Sequence, residues 1–374
     1  MSEIKVDTIV DAAGTGKPDF SNGVTINGAA LSTLNLGEYN ASSSEPSSPE
    51  NGSIWWDTTN EKIFIYIAGE WKETIGIAAA SWYGDRGIIA GGTSLPTYNS
   101  TNTIQFFDIS SLGNASDFGD LTRSNANIGS VSDGSRFVHA GGESGQNVID
   151  YGAFATTGNS TDFGDLTLGR QACHGASDGT TGIFMGGWQN SVSPTGNSNV
   201  IDSITIQTTG NASDHGDLTV AKQIAGNASN GTNGFLGGGE PTTNGIDQVS
   251  IGTAANATDF GDLTVSRSSL SACADPTRAV FCGGYASASS NVMDYITMAS
   301  AGNATDFGDM SSSAYNISGT ANATRGVISG LANGASYDDN QMEYITIQTT
   351  GNAADFGDMT INAYATGATS GSPS

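Results

Sequence analysis

The phrase NASDFGDLT, Asn114 to Thr122, places Asp117 in an Asp-Phe-Gly triplet, an order of residues that can hold a metal ion during phosphoryl transfer. That chemistry also requires a glycine-rich phosphate loop, its lysine and a catalytic loop, and the sequence has none of them. Nearly the same phrase returns at five further asparagines: Asn159, Asn211, Asn256, Asn303 and Asn352. An active site needs one set of groups rather than six. The phrase therefore indicates a structural repeat, in which we expect Asp117 to accept backbone hydrogen bonds in a turn, with a cation site as the alternative.

Other side chains that could do catalysis are scattered. A copper oxidase centre would need closely placed His and Tyr ligands, whereas His139, His174 and His215 fall in different predicted strands without ligand spacing. A sialidase-like site would need a cluster of arginines, and few arginines occupy repeat positions. We therefore predict that the protein is not an enzyme and that it has no catalytic residue, no metal site and no cofactor.

One acidic position recurs with the repeat, eight residues before each Gly-Asn pair (Ala-Asn in the fourth copy). Five copies have an acid there and the first has glutamine: Gln105, Asp150, Asp202, Asp247, Asp294 and Glu343. Basic residues precede four predicted first strands: Arg123, Arg170, Lys222 and Arg267. We expect the acids to pair with these cations or with backbone N–H groups. A ring of ligands is the alternative.

Three aromatic residues are candidates for binding because they lie in segments between predicted second and third strands, where the copies vary most. Tyr98 lies in TSLPTYNSTN, Trp188 opens WQNSVSPTGNSN, and Tyr285 follows the Gly283-Gly284 pair. For Trp188, packing between repeat units is the alternative. These loops are the predicted recognition surface.

The spacing of the copies gives the size of the structural unit. Successive asparagines are separated by 45, 52, 45, 47 and 49 residues, which is typical of one supersecondary unit repeated along the chain. The unit from Leu166 to Thr219 predicts four strands, of which the last is the repeated phrase. The other three are RQACHGAS (Arg170 to Ser177), GIFMGG (Gly182 to Gly187) and NVIDSITIQ (Asn199 to Gln207), with a turn at DGTT (Asp178 to Thr181).

The composition supports an all-β protein. Among 374 residues are 52 glycines, and Ser, Thr and Asn are abundant, which favours short strands joined by tight turns. With 12 Lys and Arg against 37 Asp and Glu, the formal net charge is -25, so the surface repels nucleic acid and anionic membranes. An odd number of cysteines, Cys173, Cys273 and Cys282, favours buried thiols over a disulfide framework.

Four antiparallel strands cannot cover both faces of their own sheet, so neighbouring sheets have to pack together, and radial closure covers both faces and most edges. The sequence therefore predicts a six-bladed β-propeller over residues 75–374. One position of the repeated phrase would fill the wedge between blades: Phe118, Phe163, His215, Phe260, Phe307 and Phe356.

The unit resembles the Kelch repeat. Arg170 stands before the first strand, Gly186-Gly187 ends an apolar strand, and Asp202 follows two hydrophobic residues in the third strand. Phe or His stands where Kelch proteins usually carry Trp. The resemblance covers roughly residues 75 to 360 and implies a fold rather than a function.

Two segments could supply the first strand of the first blade. ETIGIAAASWYG (Glu73 to Gly84) and the tail INAYATGATSGSPS (Ile361 to Ser374) both match the pattern. The sequence leaves both possibilities open.

The front of the chain differs from the repeats. Residues 1–50 read as an extended segment that ends in a Ser/Pro linker, and residues 51–74 as a β-hairpin with its turn at Thr58 to Glu61. The hairpin concentrates aromatic residues: Trp55, Trp56, Tyr66 and Trp71. A small packed hairpin that caps the propeller, a sugar-stacking platform and an assembly contact are all open interpretations.

The segments SEIKVDTIVDAAGTGKPDFSNGVTINGAAL and PSSPENGSIWWDTTNEKIFIYIAGEW resemble the starts of bacteriophage tail-fibre and other virion proteins, notably from phages of marine cyanobacteria. The resemblance implies a virion structural protein, assembled in the host cytoplasm, that docks on other virion proteins through residues 1–72. It implies a tail fibre or fibre-like appendage whose propeller faces a glycan or protein receptor on the host. Because such fibres are commonly trimers, it also implies a homo-oligomer. A head-decoration or tail-knob protein and a glycan-acting propeller enzyme are the alternatives.

Overall fold

The computed structural model describes residues 24–26, 29–31, 39–49, 53–57, 62–67, 70–73, 83–190, 195–331 and 340–372. Three predicted features fall wholly or mostly outside these residues: the start of the anchor at residues 1–23, the hairpin turn Thr58 to Glu61, and most of the candidate first strand Glu73 to Gly84. The chain divides into two compact units, Met1–Ala79 and Ala80–Ser374.

The first unit has two small sheets. Strands β1 (Val24–Ile26) and β2 (Ala29–Leu31) form an antiparallel pair. The second sheet contains β3 (Tyr39–Ser42), β4 (Ile54–Asp57), β5 (Lys62–Ile67) and β6 (Glu70–Glu73). The antiparallel pairing of β4 with β5 confirms the predicted hairpin. Strand β3, predicted to belong to the extended segment, pairs with β4 in parallel and extends that sheet.

Trp55 is a core residue of this sheet. Its ring lies 4.9 Å from that of Phe64 and 5.8 Å from that of Trp71, and its Nε1 donates to the carbonyl of Ser42 at 3.1 Å. Only 8% of its surface is exposed. Of the interpretations left open for the hairpin, internal packing therefore applies to Trp55.

The second unit consists of short strands. In chain order they are β7 (Arg86–Ala90), β8 (Thr93–Ser94), β9 (Asn99–Asp108), β10 (Ser116–Asn125), β11 (Gly129–Ser132), β12 (Arg136–Ala140), β13 (Val148–Ala153), β14 (Thr161–Asp165), β15 (His174–Ser177), β16 (Thr181–Met185), β17 (Trp188–Gln189), β18 (Gly196–Asn197), β19 (Val200–Thr205), β20 (Ser213–Asp217), β21 (Gly226–Ser229), β22 (Asn233–Gly237), β23 (Gly245–Ser250), β24 (Thr258–Asp262), β25 (Ser271–Ala274), β26 (Arg278–Cys282), β27 (Ser290–Thr297), β28 (Thr305–Ala314), β29 (Ser318–Ala321), β30 (Arg325–Ser329), β31 (Gln341–Thr346), β32 (Ala354–Asp358), β33 (Ala363–Tyr364) and β34 (Gly367–Gly371).

These strands build six repeated antiparallel sheets. We call them sheet I (β34, β7, β9, β10), sheet II (β11 to β14), sheet III (β15, β16, β19, β20), sheet IV (β21 to β24), sheet V (β25 to β28) and sheet VI (β29 to β32). Strands β8 and β33 extend sheet I, and β17 with β18 forms a separate ribbon. The described residues are thus all-β, as predicted, and none of them lies in a helix that could cross a membrane.

The tail supplies the first strand of sheet I. Strand β34 pairs with β7, from Gly367 opposite Ala90 to Gly371 opposite Arg86. Of the two candidate segments that the sequence left open, the structure selects the C-terminal one.

Sheet III has its four strands at the predicted places, with ends that differ by up to four residues, most at the start. Strand β15 begins at His174, four residues later than predicted, because Ala172 adopts a φ of +53° and cannot continue a strand. The DGTT turn forms as predicted, since Asp178 Oδ1 accepts from the N–H groups of Thr180 (2.8 Å) and Thr181 (2.6 Å).

Apolar side chains pack between neighbouring sheets in six clusters. One cluster joins Phe163 of sheet II to Phe184 of sheet III, and another joins Phe356 of sheet VI to Phe107 of sheet I. The predicted wedge residues are all buried: Phe118, Phe163, His215, Phe260, Phe307 and Phe356. Burial of each phenyl ring contributes about 2–3 kcal/mol.

The first strands of the sheets contact one another as well. The contacts join β34 with β11, β11 with β15, β15 with β21, β21 with β25, β25 with β29, and β29 with β34. Hydroxyl groups reinforce them, since Ser132 Oγ donates to the carbonyl of Ser370 and Ser229 Oγ to that of Ser177, both at 2.7 Å. Each sheet is therefore held to two others.

Candidate recognition surface

A Gly-Gly pair follows the second strand in five of the six sheets, and Gly330-Leu331 stands there in sheet VI. The pair makes a sharp bend that begins the variable loop. In sheet III, Gly186 and Gly187 have φ angles of +61° and +109°, which favour glycine. A Cβ on Gly187 would collide with the carbonyl of Gln171. The pair thus lets the backbone that precedes the first strand approach closely, and it places Trp188 at the start of the loop.

Six residues with positive φ, the αL set, precede the first strands: Asn127, Ala172, Ile224, Ser269, Asn316 and Ala365. Backbone hydrogen bonds of 2.6–2.8 Å connect them across sheet boundaries. The N–H groups of Asn127, Ala172, Ser269, Asn316 and Ala365 donate to the carbonyls of Ala365, Asn127, Ile224, Ser269 and Asn316, respectively. Between sheets III and IV the bond is different, because Ala225 N–H donates to His174 Nε2 at 2.9 Å.

Trp188, Glu240 and Tyr285 occupy the same position after the glycine pairs of sheets III, IV and V. Each is joined by a β-bridge to the residue that precedes an αL residue: Gln171 to Trp188, Gln223 to Glu240 and Ser268 to Tyr285. Because the αL residues are bonded to one another, these three positions lie around them at one end of the sheets. Alignment of the copies on their glycine pairs identifies Glu240, which the sequence analysis did not single out.

Trp188 is partly exposed and opens the ribbon formed by β17 and β18, opposite Asn197. Asn197 Nδ2 in turn donates to the carbonyl of Glu240 at 2.8 Å. Asn197 therefore connects the loop of sheet III to sheet IV, and Trp188 lies opposite this polar residue.

Tyr285 is 43% exposed, and its ring meets that of Tyr315 edge to face at 5.6 Å. Tyr98 is 55% exposed and lies in the turn between β8 and β9. The three predicted binding residues thus belong to three different sheets, I, III and V. Among the described ring contacts, none joins two of them.

The recurring acids are structural. Arg170 and Asp202 form a fully buried ion pair at 2.9 Å, Lys222 pairs with Asp247 at 2.9 Å, and Arg267 pairs with Asp294. In sheets II to VI the acid also accepts from the Thr or Ser at the end of the repeated phrase of the preceding sheet, as Asp150 does from Thr122 Oγ1 at 2.6 Å. The expected pairing with cations is confirmed in sheets III, IV and V. Burial raises the pKa of Asp150.

The asparagine of the repeated phrase joins neighbouring sheets. Asn159 Oδ1 accepts from Asp120 N–H of the preceding sheet at 3.0 Å, and Asn114 Oδ1 accepts from Asp358 N–H at 3.1 Å. The four other asparagines repeat this bond: Asn211, Asn256, Asn303 and Asn352. Asp117, expected to be the turn acceptor, lies instead in β10 opposite Gln105 with an exposed side chain.

The histidines serve the interior in three different ways. His139 is buried, its Nδ1 lies 2.8 Å from Ser130 Oγ, and burial lowers its pKa to about 3. The pKa of His174 is lowered to about 4 for the same reason. His215 Nε2 is bonded to the carbonyl of Ser250 at 2.8 Å. A base with a pKa near 3 is a poor proton acceptor at neutral pH, so the Ser130–His139 pair is unsuited to nucleophilic catalysis.

The three cysteines are buried free thiols, as predicted. Burial raises the pKa of Cys173, which keeps its thiol protonated and unreactive. Within the described residues, no group of three or more His, Cys, Asp or Glu side chains is placed to hold a metal ion.

The first strands surround a cavity of about 80 Å³ beside the αL set. Its wall contains small residues from all six sheets, including Gly129, Gly175 and Ser271. Water occupies about 30 Å³ per molecule in the liquid, so the space suits a few waters rather than a larger ligand.

The sequence matches no protein-family model and no curated protein.

Proposed function

We propose that the six sheets form a closed, six-bladed, Kelch-like β-propeller. Three observations support this proposal: the first strands contact one another in sequence, β34 of the tail pairs with β7, and Asn114 of sheet I is bonded to Asp358 of sheet VI. A crystal structure with six sheets around one axis is expected. An open spiral in which sheets VI and I are apart would contradict the proposal.

We further propose that the protein is a non-enzymatic attachment protein, a tail fibre or fibre-like appendage of a phage virion. In this proposal, residues 1–72 dock on other virion proteins. The loop end of the propeller, where Trp188, Glu240 and Tyr285 lie, contacts a glycan or protein on the host. The observation that carries the attachment role is the position of partly exposed Trp188 and exposed Tyr285 at the loop end. Aromatic side chains offer large contact area with little loss of conformational entropy.

The test of attachment uses the purified full chain with a fluorescent label, incubated with host cells. The variant Trp188→Ala/Tyr285→Ala should lower cell binding at least tenfold. Leu112→Ser is the matched control, because Leu112 is 57% exposed but lies in the turn between β9 and β10, at the opposite end of sheet I. Equal binding by the double variant and the wild type would contradict the role of this surface.

The virion location is tested separately with gold-labelled antibody against the chain on intact particles. Label at the tail is expected, whereas label spread over the head would favour a decoration protein. Host glycan incubated with the purified chain should remain uncleaved. Turnover that a single carboxylate substitution abolishes would replace the attachment proposal with an enzyme.

A further inference from the structure

An arginine clamp closes four of the six junctions between sheets. The first residue of the second strand is arginine in sheets I, II, V and VI, and its guanidinium lies 4.2–4.9 Å from the ring centre of an aromatic residue in the third strand. The pairs are Arg86 with Phe106, Arg136 with Tyr151, Arg278 with Tyr295 and Arg325 with Tyr344. The arginine also donates to a carbonyl of the next sheet, as Arg136 Nη1 does to Ile206 at 3.0 Å.

Sheet III departs from this pattern at three positions that belong together. Thr181 opens its second strand in place of arginine, and Ser203 stands opposite Ile183 in place of the aromatic residue. His215 replaces the phenylalanine of the repeated phrase. Sheet IV also lacks the arginine and the aromatic residue, since Asn233 and Gln248 stand at these positions, but it keeps the phenylalanine, Phe260. Sheet III is therefore the one among the six described sheets that departs at all three positions.

A cavity of about 390 Å³, open to solvent, lies at that position, and its lining comes mainly from sheet III, with Phe163 of sheet II and Ile251 of sheet IV. Thr181, Ser203 and His215 all line it, and so does Ile251, the residue equivalent to the arginine acceptor Ile206. Its volume lies within the range of small-molecule sites. The cavity therefore lies where an arginine and an aromatic ring stand in sheets I, II, V and VI.

The wall of the cavity combines neutral polar groups with an apolar part. Hydroxyl groups come from Thr181, Ser203 and Ser213, and the Oγ atoms of the two serines are 3.4 Å apart. Ala254, which is exposed, adds apolar surface, whereas Phe163 and Ile204 border the cavity but are only 3% and 5% exposed. The imidazole of His215, 5% exposed, is held by its bond to the carbonyl of Ser250.

We propose that this cavity binds one neutral pyranose ring of a glycan. A pyranose carries hydroxyl groups around its rim, which match donors and acceptors such as Ser and Thr, and C–H groups on its faces, which match apolar surface. Among the residues that the structure describes, no Lys or Arg lines the cavity, and the chain has a net charge of -25, so anionic sugars are disfavoured. The inference rests on the proposed attachment to a host surface and names the sugar class for a second contact, away from Trp188 and Tyr285.

The decisive variant restores the clamp. Thr181→Arg/Ser203→Tyr introduces the pair that sheets II, V and VI already contain, with the carbonyl of Ile251 as the expected acceptor, so the variant should fold while its cavity is filled. Asn233→Arg/Gln248→Tyr makes the same exchange in sheet IV, where Asn233 and Gln248 hold the corresponding positions. It is the matched control.

Binding is measured by ligand-observed NMR on the full chain with galactose, glucose, N-acetylglucosamine and glucuronate as probes. At least one neutral sugar should bind the wild type and the sheet IV control equally. The sheet III variant should lose that binding at least tenfold, and glucuronate should bind more weakly than the neutral sugars. Absence of binding by all three neutral sugars, or equal binding by the sheet III variant, would overturn the proposal.

The variant Trp188→Ala/Tyr285→Ala separates this inference from the proposed function. If it loses cell binding but retains the neutral sugar, both proposals stand. If the wild type binds the sugar but not host cells, the cavity stands and the attachment role fails. If the wild type binds host cells but not the sugar, the attachment role stands and the cavity proposal fails.

Discussion

Arg170 Nη1 lies 2.9 Å from Asp202 Oδ2, and both side chains are completely buried. The guanidinium also donates through Nη2 to the carbonyl of Phe184 at 2.9 Å. Sheet I has neither charge at the corresponding positions, where Ala363 and Gln105 stand, and Gln105 Oε1 accepts from the N–H and hydroxyl of Thr360. The repeat therefore accommodates either a buried ion pair, as in sheet III, or a neutral glutamine, as in sheet I, at this position.

The charged version should fail when only one partner is changed. Asp202→Gln leaves Arg170 buried without its counter-charge, and we expect a loss of about 3–5 kcal/mol in the free energy of unfolding. Arg170→Ala/Asp202→Gln reproduces the pairing of sheet I and should lose less than the single variant. Urea unfolding followed by tryptophan fluorescence measures both. A double variant less stable than Asp202→Gln would show that packing by the arginine stem, rather than charge, dominates.

The asparagine bonds test whether sheets VI and I are joined like the other neighbours. Asn114→Ala removes the acceptor for Asp358 N–H, and Asn211→Ala removes the acceptor for Asp165 N–H, each a bond of 3.1 Å. Each change should lower the free energy of unfolding by about 0.5–1.5 kcal/mol, by similar amounts. An Asn114→Ala protein as stable as the wild type, beside a destabilised Asn211→Ala protein, would contradict closure between sheets VI and I.

Removal of the tail should be far more damaging than removal of a surface contact. A chain that ends after Asn362 lacks β33 and β34, so β7 loses its partner strand and sheets II and VI lose contacts with β34. We expect a large fall in the thermal midpoint and association through the exposed edge of β7. Circular dichroism and size-exclusion chromatography measure these effects. The control lacks only residues 373–374, and equal midpoints for the two shortened chains would refute the prediction.

His139 should weaken the fold in mild acid. Its pKa is about 3 in the folded protein and about 6.5 in an unfolded chain, so below about pH 6.5 the unfolded state takes up a proton that the folded state does not. Stability is therefore full above pH 6.5 and falls by up to about 1.4 kcal/mol per pH unit toward pH 3. His174 acts in the same direction.

His139→Gln removes one of the two histidines that take up a proton on unfolding in mild acid. Between pH 6 and pH 5 the variant should lose about 1 kcal/mol less in its free energy of unfolding than the wild type does. Urea titrations at pH 7, 6 and 5 measure the difference. Asp150, opposite His139 in the strand register, has a raised pKa that works in the opposite direction, but it is present in both proteins. Parallel pH profiles for the two proteins would exclude the assignment.

Features that depend on local spacing could be predicted from the sequence. The glycine pairs, the wedge position of Phe163 and the DGTT turn are set by residues close together in the chain, and the structure places them as expected. The partners of Arg170 and Lys222 were also among those predicted, because the acid and the cation recur at fixed offsets in each copy.

Features that depend on contacts between sheets could not be read in this way. Ile224 adopts a φ of +46°, which a β-branched residue disfavours by itself, and the bond from Ser269 N–H to its carbonyl belongs to the next sheet. Both candidate first strands fitted the local pattern, and only the pairing of β34 with β7 decides between them. The replacement of arginine by Thr181 is recognised only by comparison with the arginine clamps of sheets I, II, V and VI.

The pairing of β34 with β7 also means that β7 is synthesised long before its partner strand. The ribosome makes β7 near the start of the repeat region and delivers its partner, Gly367–Gly371, only after all the intervening sheets. Throughout translation, β7 therefore has one side without a strand to bond, and a nascent chain that stalls before residue 367 presents that side to its neighbours.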